Sequence, residues 1–262
     1  AGASDQANGK IYNLGCSEVI GLKDLAKMMV NLGYGGSFDL APFPSEREAI
    51  DIGDYFSDFS VFYKPKDIVG GDFYWFRCFG NISVIATVDC TGHGVPGGFM
   101  SMMGSLLLDK IIQLNNLDTS KILKDLNAEI VRVLDQKSGG EIQDGMDISL
   151  CVIDKSSKKL SFSGARNGIS VLRADKIEKY DADLFSVGGS YTQISKKLNR
   201  DFKSYSIELG ENDWVFMYTD GYYDQLGGSE IHSLGIKRFE KIIKTCSIEE
   251  DKIEFLEKSF ND

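Results

Sequence analysis

The order in which strand-like and helix-like segments follow one another restricts this chain to few architectures. DFYWFRCF (72–79) and ISVIATVD (82–89) are rich in aromatic and β-branched residues, and Gly80-Asn81 between them suits a tight hairpin turn. A helix is expected from about Val95 to Leu114, with Pro96 tolerated in its first turn. A second, amphipathic helix is expected from Ser120 to Gln136, using Ile122, Leu123, Leu126, Ile130, Val133 and Leu134. Strands then return in MDISLCVID (146–154), KLSFSGA (159–165), GISVLRA (168–174), FKSYSIEL (202–209) and DWVFMYTD (213–220). Two helical stretches near 235–246 and 248–260 close the chain. Strands joined by short turns, with helices grouped between them, predict an antiparallel α+β architecture rather than a doubly wound one.

Upstream the texture differs. IYNL (11–14) reads as a short strand, and a helix is expected from about Glu18 to Leu32, ended by Gly33, Gly35 and Gly36. The stretch from Ser37 to Ser60 has two prolines, many charges and no sustained period, so it reads as an extended connection. The break near residues 58–64 divides the chain into 1–60 and 61–262.

Charge and cysteine usage narrow the function. A net charge of −10 argues against gripping nucleic acid or anionic lipid through a basic face. The five cysteines, Cys16, Cys78, Cys90, Cys151 and Cys246, show no CxxC spacing and do not read as a disulfide framework or a zinc site. A cytoplasmic location is expected, with no leader at the start of the chain. The uncharged run between Asp89 and Asp109 is too rich in glycine and hydroxyl residues to make a good membrane span.

Three aspartates share one context. Asp72 stands in VGGDFYW, Asp89 ends a strand in ATVDCTGHG, and Asp220 ends one in VFMYTDGYYD, each beside glycine. Strand ends converging on one rim would gather these oxygens, and clustered carboxylates repel unless a cation of high charge lies between them. Oxygen ligands without histidine or thiol partners suit Mg²⁺ or Mn²⁺. Taken singly, each aspartate reads equally as a strand cap or corner. The glycines after Asp89 do not make a phosphate loop, because no GxxxxGK[ST] is present, and their dinucleotide fingerprint is incomplete. His93 is a candidate acid or base, with a turn role as the alternative, and the methionines at 100, 102 and 103 read as helix core.

Four motifs in series, PKDIVGGDFYWF, ATVDCTGHGVPGGFMSMMG, DGMDISLCVID and VFMYTDGYYDQ, resemble the metal-dependent protein phosphatase (protein phosphatase 2C-like) superfamily. The branch they resemble is that of the bacterial SpoIIE-like serine phosphatases, over about residues 60–260. The resemblance implies a β-sandwich flanked by helix pairs, with two Mn²⁺ or Mg²⁺ ions at one end. It implies that Asp89 bridges both ions, that the Cys90 carbonyl completes one of them, and that Asp72 and Asp220 add carboxylates. Gly92, His93 and Gly94 then shape the loop and helix start, while Asp147 is structural or lies near the substrate. Lys64 and Lys66 are candidates to meet the phosphate; Arg166 and Arg173 are candidates for surface or substrate contact. Two such cations lower the pKa of a shared water, so hydroxide attacks phosphorus with no phosphoenzyme. The CxxxxxR pattern of cysteine phosphatases is absent.

The implied activity is that of a protein serine/threonine phosphatase acting on a phosphorylated regulatory protein, of the STAS-type anti-sigma factor antagonist class. The family's final strand, with its further metal-binding aspartate, is expected to be missing, since the sequence stops at SFND with Asp262 last. An activity-impaired interaction module is therefore the alternative. Residues 1–60, through YNLG and PFPSEREAIDIGDYFSD, resemble the C-terminal part of an extended short-chain dehydrogenase of the nucleotide-sugar epimerase and dehydratase group. That family's GxxGxxG and YxxxK are not present, so this segment reads as a small, incomplete α/β remnant fused ahead of the phosphatase domain.

Overall fold

The computed structural model describes residues 10–12, 19–21, 60–64, 70–113, 117–136, 143–189, 201–227, 232–249 and 251–261. It forms two compact units, Ala1–Phe56 and Ser57–Asp262. In the first, β1 (Lys10–Tyr12) pairs antiparallel with β2 (Val19–Gly21). The helix expected from Glu18 therefore does not begin there. Val19 and Ile20 are β-formers, and pairing with Tyr12 and Ile11 overrides the helical period of the residues that follow. The remainder of that expected helix, its terminating glycines and the extended connection lie outside the described residues.

The second unit is built on a large antiparallel sheet. It contains β3 (Phe73–Phe79), β4 (Ile82–Cys90), β5 (Gly145–Asp154), β6 (Lys159–Ala165), β9 (Val187–Gly188) and β10 (Tyr205–Glu208). Its order is β10-β6-β5-β4-β3, with β9 also pairing β5. A smaller sheet holds β7 (Ile169–Arg173), β8 (Lys176–Tyr180) and β11 (Trp214–Met217) in the order β11-β7-β8. A two-stranded ribbon pairs β12 (Leu226–Gly227) with β13 (His232–Ser233).

The alternation along β5 shows why the sheets layer. Met146, Ile148, Leu150 and Val152 join one apolar core with α1 (Gly94–Gln113) and α2 (Thr119–Val133). The intervening Ser149, Cys151 and Ile153 are also buried, on the opposite face. The Ser149 hydroxyl donates to the carbonyls of Asn167 and Gly168, which lead into β7. A strand covered on both faces belongs to a layered sandwich, here with helices outside.

Helix α2 begins where Asp118 Oδ1 accepts from the Ser120 and Lys121 amides at 3.0 and 3.2 Å. The Ser120 hydroxyl and these amides hold the Asp118 carboxyl below its usual range despite partial burial. The buried stripe of α2 is Ile122, Leu123, Leu126, Ile130 and Val131; each large aliphatic side chain stabilises by about 1.5–3 kcal/mol relative to exposure. Val133, expected on that stripe, is 46% exposed because the helix ends there. On the other side, α3 (Ile236–Cys246) and α4 (Lys252–Asn261) carry Phe239 and Phe260 against Tyr222, with ring centroids both 5.3 Å away. Phe62 completes this aromatic group, 5.5 Å from Phe260. Among the described residues no helix is long and apolar enough to cross a membrane.

Candidate active site

Register brings the acidic residues together. β4 and β5 pair with Asp89 directly opposite Asp147, and β3 and β4 pair with Phe73 opposite Val88. Continuing that register by one residue sets Asp72 opposite Asp89. Three carboxylates thus form a row across neighbouring segments of the sheet, where directly opposed side chains lie about 4.5–5.5 Å apart at Cβ. The alternation that sends Val88, Cys90, Met146 and Ile148 into the helix-side core turns this row to the other face.

Asp220 arrives from the smaller sheet. The strand predicted to end at this residue stops at Met217, and Asp220 instead opens a 3₁₀ turn, Asp220–Tyr222. That extra reach brings its carboxyl close enough to Asp89 for the two groups to perturb each other's ionisation. Asp72 acts on Asp89 in the same way. Burial, reinforced by the Asp72, Asp220 and Asp147 charges, pushes the Asp89 carboxyl up to about 8. Burial and then Asp224 raise Asp220 as well. Without a cation, burial and the neighbouring carboxylates thus favour the protonated form of Asp89.

These contacts run pairwise through Asp89. Among the described residues no group of three His, Cys, Asp or Glu side chains is arranged around a common point as a ready-made metal cage. The donor set nevertheless fits a hard divalent cation in its chemistry, because it is all oxygen and mutually repulsive. Cys90 fits only through its carbonyl. Its side chain is 3% exposed within the helix-side core, and burial drives the thiol pKa upward.

Backbone packing seats the loop. A Cβ on Gly71 would lie 2.6 Å from the Gly92 carbonyl and 2.9 Å from that of Cys90. A Cβ on Gly97 would meet the same Gly92 oxygen at 2.6 Å. Gly92 and Gly94 turn with φ of +92° and +65°, and α1 starts at Gly94. His93, between them, is exposed at the loop surface.

Other sequence candidates go elsewhere. Lys64 lies 4.0 Å from Glu257 and 5.1 Å from the Phe260 ring centroid, toward α4. Lys66 and Asp262 lie outside the described residues. Arg173 is tied to Asp213 at 3.0 Å and donates to the Glu208 carbonyl, bracing the two sheets. Thr219 and Ser186 escaped the sequence reading, while Arg166, a candidate for surface or substrate contact, meets Asp147. Thr219 Oγ1 donates to Asp72 Oδ2 at 2.9 Å, Ser186 Oγ donates to Asp147 Oδ1, and Arg166 Nε lies 2.8 Å from Asp147 Oδ2. The Thr219-Asp220 pairing in sequence was the one available signal for the first of these.

A family model described as Stage II sporulation protein E (SpoIIE) matches residues 81–260. Stage II sporulation protein E of Bacillus subtilis (strain 168) is 26% identical over 183 residues, 70% of this chain and 21% of its own length. The chain thus spans about a fifth of that relative. Among solved structures, the SiaA-PP2C domain of Pseudomonas aeruginosa superposes with a TM-score of 0.64 at 25% identity, covering 75% of this chain and 74% of its own. The PP2C phosphatase domain of SpoIIE from Bacillus subtilis, with a fragment of its regulatory domain, gives 0.56 at 22% identity, covering 73% and 52%. Family match and sandwich agree: the chain belongs to the Stage II sporulation protein E family and has the fold of the PP2C domains it superposes on.

Proposed function

We propose that residues 61–262 act as a divalent-metal-dependent protein serine/threonine phosphatase, with Asp72, Asp89, Asp220 and the Cys90 carbonyl as the residues that hold Mn²⁺ or Mg²⁺. The observation that carries this reading is the row of opposed carboxylates continued by Asp220, whose burial and charges push the Asp89 carboxyl up. Bound divalent ions supply a water of lowered pKa and positive charge for the phosphoryl oxygens. The chain's own part is geometric. The strand register spaces Asp72, Asp89 and Asp147, and the 3₁₀ turn presents Asp220 from the facing sheet. The glycine loop at 92–94 lets α1 begin beside the site.

The substrate proposed is a phosphoserine or phosphothreonine on a regulatory protein, of the STAS-type anti-sigma factor antagonist class. Family membership and the 26% identity to Stage II sporulation protein E support a phosphatase; the substrate class follows from the resemblance of the four motifs to the SpoIIE-like serine phosphatases. Residues 1–60 are proposed to be a separate remnant that takes no part in the chemistry. Hydrolysis of p-nitrophenyl phosphate and of a phosphoserine peptide by the purified chain tests the reading. Turnover is expected only with added Mn²⁺ or Mg²⁺ and is expected to be lost in Asp89→Asn. Turnover that survives chelation, or none with either ion, would overturn it.

A further inference from the structure

We propose that Arg166 is the residue that grips the phosphate group of the substrate, a role that rests on the phosphatase reading above. The guanidinium stands one carboxylate away from Asp89. Its Nε lies 2.8 Å from Asp147 Oδ2, and Asp147 is the direct cross-strand partner of Asp89. The other oxygen of Asp147 accepts from Ser186, so this carboxylate is held at both ends and cannot swing. Among the described residues, the side-chain hydrogen bonding of Arg166 is made through Nε, and the side chain is 58% exposed. The terminal nitrogens form the planar fork that pairs with two oxygens of a phosphate.

The backbone supports the same reading. Arg166 occupies the left-handed region with φ +59°, which a side chain of this size adopts rarely. Its N–H donates to the Asp183 carbonyl and the next N–H to the Ala165 carbonyl, both at 2.7 Å, which hold the turn in that form. A glycine would suit this backbone better, so the arginine is kept at a conformational cost. Strain of this kind, beside a cluster of like charges, is consistent with a group retained for what it binds.

Titration calorimetry of inorganic phosphate into the Mg²⁺-loaded chain tests the assignment without requiring turnover. Arg166→Gly is expected to melt at the same temperature as the parent or higher, because φ is relieved, while phosphate affinity falls about 10- to 100-fold. Arg166→Lys should recover part of that affinity as a point charge, and Mg²⁺ affinity should stay within twofold in both. Phosphate binding unchanged in Arg166→Gly, or undetectable in the parent chain, would overturn the role. So would a parallel loss of Mg²⁺ affinity, which would mean that Arg166 acts through the carboxylates. A parent chain that binds phosphate through Arg166 yet hydrolyses no ester would instead refute the phosphatase reading and leave the anion site standing.

Discussion

The hydroxyl of Thr219 donates to Asp72 Oδ2 at 2.9 Å, joining two residues 147 positions apart. It orients one carboxylate of the row from the opposite sheet, while the neighbouring Asp220 reaches Asp89. Thr219→Val keeps the shape and removes this bond. We expect Mn²⁺ affinity to fall by about tenfold, as losses of outer-shell partners do, with little change in melting temperature. Titration calorimetry of Mn²⁺ into the metal-free variant checks this.

Asp89→Asn should separate stability from activity. It replaces a carboxyl that becomes charged only as pH rises toward about 8, so in chelator the metal-free variant should melt close to the parent at neutral pH and higher than it at pH 9. The same variant should lose its melting increment with Mn²⁺ and at least a hundredfold of its phosphatase rate. A variant that is both less stable in chelator and still Mn²⁺-responsive would contradict the arrangement.

Metal binding should depend on pH with a defined sign. The Asp89 carboxyl is raised in the fold from 3.8 to about 8, so the folded state holds a proton that the unfolded chain releases. In chelator, the stability associated with this group is full below about 4 and is lost as pH rises toward 8. Cations must displace that proton, so Mn²⁺ affinity should rise steadily between pH 6 and 8. Melting curves with and without Mn²⁺ at each pH should therefore diverge as pH rises.

The interlocked glycines give a steric prediction. A methyl on Gly71 has nowhere to go, with carbonyl oxygens at 2.6 and 2.9 Å. Gly71→Ala should cost about 1–3 kcal/mol in denaturant unfolding and reduce Mn²⁺ affinity, because the displaced oxygens belong to Cys90 and Gly92. Gly80→Ala, where no atom lies within 4 Å, is the control for added volume alone, although its φ of +57° carries its own strain.

Much of this was readable before any coordinates. The aromatic and β-branched runs at β3 to β6 fix their own strands, and pairing β3 with β4 through Gly80-Asn81 follows from the turn. The β8 strand, KIEKY, was missed because three of its five residues are charged and it lies at a sheet edge, where polar side chains are tolerated. The strand at Val19 was obscured by helical spacing in the residues beyond it, since pairing with Tyr12 is a non-local event. Asp72, Asp89 and Asp220 stood out by their glycine neighbours. The roles of Ser186 and Arg166 depend on how loops return to Asp147, which local composition does not encode.

The pairing of Asp89 with Asp147 also bears on how the chain reaches its working form. Shifting either strand by a single position would turn its acidic end into the oily layer beneath the helices and push an apolar neighbour out. Zippering errors in the central sheet and loss of catalytic spacing are thus one and the same fault.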